Sequence, residues 1–362
     1  MRLHAIGSAP VLGAFLVALA ISVVWAANAP IDDPYSMQNT RWNGMSALTR
    51  REFLTVTTEL AGTLSLTNAT QVLLIVAPSR PFSRQEATSI GNAVGRGGLL
   101  VVADNFGSGN GLLSLLGLPV RFDNKLLVDP LFYRKQPSFP VVENFSESEF
   151  MIGLDELVLD RATTLNVTAA SKVKVLASSS AFSFLDVNQD GERSSQEPSG
   201  PFPVLAEVRL GEGKILLFTS PASLANGLIN EGSNSPLVDR IVEYGLVPEH
   251  HFTLLYDETH LERSPFTPAK LGARQLIAWI SEGGMPLSAK LELFALAIVF
   301  LVARYAYRKP SKTAKKIEPP QVVSSSVEAM LHLHPTWDRK MLEYVARQLD
   351  ASLIWRESRE AE

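Results

Sequence analysis

Cysteine is absent from all 362 residues. That excludes disulfides, thiolate metal ligands and a cysteine nucleophile, and it leaves the compartment open. Charge of one sign is missing too: 33 Lys and Arg stand against 37 Asp and Glu, a formal charge of −4. No basic excess is present to attract nucleic acid. Several catalytic signatures are lacking. No serine sits in a G-x-S-x-G turn, no HExxH pair occurs, and the glycine-rich stretch at 107–111 fits neither a P-loop nor a dinucleotide fingerprint. What is present is a 46% hydrophobic chain, enough to fill the core of one large or two modest domains.

Two apolar runs dominate the outer parts of the chain. Residues 10–27 carry no charge, with Arg2 before them and Asp32 and Asp33 after. As a helix they are long enough to cross most of a bilayer core, amino end inside. A cleaved signal peptide is the competing reading, because Ala27-Asn28-Ala29 resembles a cleavage site. Leu293 to Ala303 is a second run, extended to a span at 287–306 and followed by Arg304, Arg308, Lys309, Lys312, Lys315 and Lys316. That flank is a positive-inside signature, and a buried core helix with a basic tail is its rival.

The expected layout follows. Residues 1–9 form a short cytoplasmic start and 10–27 a transmembrane helix or signal anchor. Residues 30–285 form an extracytoplasmic domain with an insertion at about 119–203. After the span at 287–306 come a basic linker at 307–326 and a cytoplasmic helical tail at 327–362. The cell membrane is the expected location, with both termini cytoplasmic and the bilayer itself a partner. In the tail Met341, Leu342, Val345, Leu349, Leu353 and Ile354 make an apolar stripe. Such a short helical pair seldom folds alone, so residues 327–355 imply a membrane or cytoplasmic protein partner. His332 and His334 in this tail read as surface residues. Three sequons, at Asn68, Asn144 and Asn166, fit glycosylated external loops.

Inside the domain, Gly97 to Leu116 reads as strand, turn and helix. Leu99 to Ala103 is a five-residue apolar run, the pattern of a strand covered on both faces. Asp104 and Asn105 then stand at its carboxyl end, where ligands bind in open α/β sheets. With Ser108 and Asn110 they are candidate ligand contacts in a strand-to-helix nest; an Asx turn is the alternative. Ser83 and Glu86 form a capping box for a helix ending near Gly95. Val204–Leu210 and Lys214–Thr219 read as a hairpin across Gly211, and Pro221–Ile229 and Met45–Leu60 as helices. Strand and helix alternate, so the expected class is α/β.

Two motifs point to chemistry. Asp186-Val-Asn188-Gln-Asp190-Gly191-Glu192-Arg-Ser194-Ser-Gln-Glu197 matches D-x-[DN]-x-[DN]-G-x5-E in full. Side-chain oxygens at positions one, three, five and twelve, with a carbonyl at seven, wrap a hard cation, and glycine at six makes the turn. Asp186, Asn188, Asp190 and Glu197 are the side-chain ligands of an expected structural calcium loop, Glu192 gives its carbonyl, and Ser194 acts through water. The rival is a solvated acidic turn. Asp257, Glu258 and His260 follow an apolar strand, and two carboxylates near a histidine suit acid–base work. Polar capping is their alternative.

The order of these parts resembles the domain of unknown function 4350 family over roughly residues 30 to 305. The resemblance rests on Ser36…Asn39-Thr-Arg-Trp42-Asn43-Gly44…Ser46, the 97–116 stretch, Gly211-Glu-Gly-Lys…Ser220-Pro221…Asn226-Gly227, and Asp257-Glu-Thr-His260. It implies a flavodoxin-like, amidotransferase-like, mostly parallel sheet with a β-rich insertion, flanked by two transmembrane helices. Amidotransferases of class I place a nucleophilic cysteine at the turn after a central strand; here Asp104 or Asn105 stands in that region. The resemblance therefore implies a non-catalytic relative, a binding or scaffold platform for an envelope component or partner protein. The family's second motif histidine is replaced by Leu261, against a metal site. Three functions compete: that scaffold, an envelope-polymer hydrolase using Asp257, Glu258 and His260, and a sugar-binding domain using Trp42 and Tyr35, with Trp42 and Asn43 as further ligand candidates.

Overall fold

A computed structural model describes residues 8–50, 54–57, 60–66, 71–245, 253–282, 322–333 and 338–344. The chain divides into two compact units: residues 13–284, and residues 1–12 together with 285–362.

In the larger unit the order is α1 (Ser8–Asn28, begun in the other unit), β1 (Leu54–Thr57), α2 (Leu60–Leu66), β2 (Gln71–Val76), α3 (Arg84–Gly95), β3 (Leu99–Ala103) and α4 (Gly109–Leu115). Short strands follow: β4 (Val120–Phe122), β5 (Leu126–Val128), β6 (Val141–Val142), β7 (Asn144–Phe145), β8 (Leu157–Val158), β9 (Leu165–Val167), β10 (Val173–Ser178) and β11 (Phe184–Asp186). Then come β12 (Pro203–Leu210), β13 (Gly213–Phe218), α5 (Asn234–Gly245), β14 (Thr253–Asp257) and α6 (Thr267–Glu282). The smaller unit holds α7 (Val322–Leu333) and a helical stretch at 339–344, where Arg339 pairs with Glu328 and Glu343.

One eight-stranded sheet runs β1-β14-β2-β3-β13-β12-β10-β7. The first five strands are mutually parallel, and β12, β10 and β7 join antiparallel. Three further two-stranded sheets, β11-β5, β4-β9 and β6-β8, are antiparallel. The expected mostly parallel, flavodoxin-like sheet is thus corrected to a mixed one. The reason is the hairpin: β13 completes the parallel half and turns back through β12 across Gly211, whose φ of +61° suits glycine. The 119–203 region then extends the sheet from that antiparallel side through β10 and β7.

Alternation of side chains gives the sheet two cores. Val72, Leu74, Val76, Leu99, Val101 and Phe218 face Leu237, Val238 and Ile241 of α5. Leu73, Ile75, Leu100, Val102 and Leu217 face Ala87, Ile90 and Val94 of α3. All of β3 is buried, which is why its sequence is an unbroken apolar run. Burying each such Leu, Ile or Val contributes about 1.5–3 kcal/mol. Two expected helices are absent. Leu54-Thr-Val-Thr57, rich in β-branched residues, pairs with β14 at the sheet edge after a short 3-10 turn, and Pro221–Leu224 is only a 3-10 turn.

The membrane layout is also corrected. Among the described residues no helix is long and apolar enough to cross a membrane. In α1 the described side chains are Phe15 and residues 18–28. Its end is tied to α6, where Arg274 donates to the carbonyls of Ala27 and Ala29. The expected span at 287–306 lies outside the described residues. Transmembrane flanks, a cell-membrane location and an extracytoplasmic domain with both termini cytoplasmic are therefore not supported. Of the tail stripe, Met341 is exposed and Leu342 half-buried; residues 345–355 and His334 lie outside the described residues, and His332 is exposed on α7.

Candidate functional site

The carboxyl ends of the parallel strands bring three sequence motifs to one edge of the sheet. At the end of β3, Asp104 is buried, and its carboxylate is ringed by its own turn. Oδ1 accepts from the amides of Asn105 (2.8 Å) and Gly107 (3.0 Å), and Oδ2 from Gly109 (2.8 Å). A Cβ on Gly107 would stand 2.3 Å from the Pro78 carbonyl, and one on Gly109 2.6 Å from Asp104 Oδ2, so both positions need glycine. Burial pushes the Asp104 carboxyl up, against the pull of those three amides. The nest expected to hold a ligand thus points its donors at Asp104. The other candidates there are also engaged. Asn105 donates to the Arg161 carbonyl, Ser108 to the Pro78 and Arg80 carbonyls, and Asn110 exchanges two bonds with the backbone of Phe122.

Asp257 and Glu258 are adjacent in an extended segment, so they leave the sheet on opposite sides. Asp257 Oδ2 lies 2.7 Å from His260 Nδ1, and its Oδ1 accepts from the Thr259 amide. The other ring nitrogen, Nε2, faces Glu86 Oε1 at 3.6 Å. Phe82 stacks on the imidazole, centroids 3.7 Å apart at 22°. Glu86 is the residue that sequence reasoning placed only in the α3 capping box. Its Oε2 does serve Ser83 there, and the remaining oxygen meets the histidine. Burial alone would raise the Glu86 carboxyl, but the Ser83 hydrogen bonds and His260 outweigh it and hold the carboxyl down. On the opposite side Glu258 accepts from Ser36 Oγ and the Met37 amide and pairs with Arg263 at 2.8 Å. An aspartate–histidine pair is the base of many hydrolases. Here the nitrogen that would meet a nucleophile looks at a carboxylate, and the histidine is 3% exposed.

The loop at 33–48 is the third motif, and it is clamped from two sides. Tyr256 donates to the Tyr35 carbonyl at 2.6 Å. Asn226 accepts from the Ala47 amide and donates to the carbonyls of Asn39 and Arg41 and to Ser46 Oγ. Gly227 donates to the Trp42 carbonyl. Asn43 accepts from Asn39 Nδ2, while the Trp42 side chain is 70% exposed. Tyr35 has φ +58°, and its phenol is pushed up to about 12 by burial and by Asp160 and Asp104. Beside Asn226 opens a cavity of about 460 Å³, in whose wall stand Thr40, Ser46, Asn226 and Asn230. None of Asp104, Asp257, Glu258 or His260 lines it.

The expected calcium loop is corrected. Among the described residues no group of three or more His, Asp or Glu is placed to hold a metal ion. Several oxygens of 186–197 accept from the loop's own amides, Asp186 from Gly191, Asn188 from Asp190, Asp190 from Glu192, and Glu197 from Val187 and Ser194, while Asp186 Oδ1 is buried without a hydrogen-bond partner among the described residues. The bond from the Ser194 amide leads the causes that lower the Glu197 carboxyl. Of the sequons, Asn144 and Asn166 are exposed but lie in strands β7 and β9 rather than loops, and Asn68 is outside the described residues.

A family model described as "Domain of unknown function (DUF4350)" matches residues 37–242, more than half of the chain. No curated protein matches the sequence. Among solved structures, the chain is similar to the mmIFT52 N-terminal domain (TM-score 0.39, 17% identity, covering 50% of this chain and 79% of that one). It is similar also to a cytoplasmic protein from Salmonella typhimurium LT2 (0.35, 15%, 53% and 77%) and to a putative ThuA-like protein from Bacteroides uniformis (0.33, 16%, 51% and 75%).

Proposed function

We propose, for a chain that belongs to the DUF4350 family, a non-catalytic binding or scaffold role toward a partner protein or another ligand. One observation carries this reading: His260 is buried between Asp257 and Glu86 beneath Phe82, leaving no approach for a substrate's reacting atom. A general base must come within hydrogen-bond reach of the proton it takes. The neighbouring groups are engaged as well. Glu258 secures the 33–48 loop, and Asp104 holds its own turn together. Glu258 is held by Ser36, Met37 and Arg263, apart from the Asp257–His260 pair, which counts against a hydrolase built from all three.

Turnover decides between the two. Full-length protein is incubated with nitrophenyl esters, nitrophenyl glycosides and soluble polysaccharides, beside the His260→Ala variant. The binding role requires product formation no faster than in buffer for both proteins. Product release that disappears in the variant would establish the hydrolase instead.

A further inference from the structure

The cavity beside Asn226 has walls without an ionisable side chain: hydroxyls of Thr40, Ser46 and Ser235, carboxamides of Asn226 and Asn230, and an aliphatic remainder. Its volume of about 460 Å³ falls within the ~300–1,000 Å³ typical of small-ligand sites. Not every polar group in it is spent on the fold. Asn226 is fully used in clamping the 33–48 loop. Ser46 Oγ accepts from Asn226 and keeps its own proton to donate. The side chains of Thr40 and Asn230, both exposed, make no hydrogen bond among the described residues. Two residues beyond Thr40, on the same loop, Trp42 presents its indole to solvent.

A hydroxyl and a carboxamide each both donate and accept. A wall made of them matches a ligand whose groups do the same and carry no charge, because no side chain in it would compensate an ion entering the cleft. An exposed indole adds a flat apolar face. We infer that this cleft is a binding site for a neutral, hydroxyl-rich ligand, a saccharide segment, held by Asn230, Thr40 and Ser46 and stacked on Trp42. The inference rests on the non-catalytic binding reading and gives it a ligand class. The clamp explains how a loop could serve as a recognition wall: Asn226, Gly227 and Tyr256 fix the backbone of 35–47, so its ordering precedes binding.

The test is calorimetric titration of the full chain with maltohexaose, cellohexaose and N-acetylchitohexaose, and in parallel with hexaalanine as a neutral peptide. At least one saccharide is expected to bind with saturation, and Asn230→Ala and Trp42→Ala each to weaken it about five-fold or more, the equivalent of one lost contact. Both positions are exposed, so their melting temperatures should match the parent's and report intact folding. The inference is overturned if no saccharide saturates by about 10 mM, if both variants bind as the parent does, or if the peptide binds and the saccharides do not. Its failure leaves the binding role standing as long as turnover is absent. Release of reducing ends that depends on His260 would remove that role whatever the cleft binds.

Discussion

Asp104 shows how a single buried carboxylate organises a turn. Both oxygens accept, from three amides in all, and the residue is 1% exposed. Asp104→Asn should therefore be costly although nearly isosteric, because a carboxamide nitrogen would face an N–H donor. A loss of about 1–3 kcal/mol is expected in denaturant titration. Glu86 gives a pH signature. Its carboxyl is held below the ordinary 4.5 in the folded state, so the unfolded chain binds more protons through that window. The stability it contributes is fully present above pH 4.5 and is lost as pH falls through its lowered folded value. Glu86→Gln should flatten this acid limb in melting curves taken from pH 6 downward; an unchanged limb would assign it to other carboxylates.

At the scale of elements, α3 is anchored by a reciprocal cap that is also one side of the histidine pocket. Ser83→Ala should cost about 1 kcal/mol as a lost cap. In a double-mutant cycle with Glu86→Gln the two changes should be non-additive, since both act on the Ser83 Oγ–Glu86 Oε2 bond. The 33–48 loop has no strand or α-helix of its own and is held by the side chain of Asn226, 187 residues from Asn39. Asn226→Ala removes the partner of the half-buried Ala47 amide together with those of the Asn39 and Arg41 carbonyls. A cost of about 2 kcal/mol or more is expected, together with faster tryptic cleavage at exposed Arg41 in limited proteolysis.

For the molecule as a whole, residues 13–284 form one compact unit containing the whole sheet and both cores. Deleting residues 285–362 should leave the main thermal transition at the same midpoint. A fall of several degrees would show that this unit depends on the rest of the chain. The mixed sheet has a functional consequence. Its parallel half supplies the carboxyl edge where the motifs gather, and its antiparallel half builds outward from β13. The site region therefore lies at one end of the first five strands while the 119–203 extension grows sideways.

Local pattern was enough for what depends on neighbours in sequence. The unbroken apolar run of β3, the Ser83–Glu86 box and the hairpin across Gly211 were each legible because the forces that shape them act within a few residues. A complete calcium spacing was legible too, but spacing does not say where oxygens point, and among the described residues the carboxylates of this loop do not gather into a metal-holding group. What only the tertiary structure decided was which polar groups meet. His260 found Glu86 at a separation of 174 positions, Ser36 found Glu258 across 222, and Asn226 found the 33–48 loop. Those pairings depend on how the strands are ordered in the sheet, a choice made by burying two apolar faces at once, and no short window of sequence contains both partners.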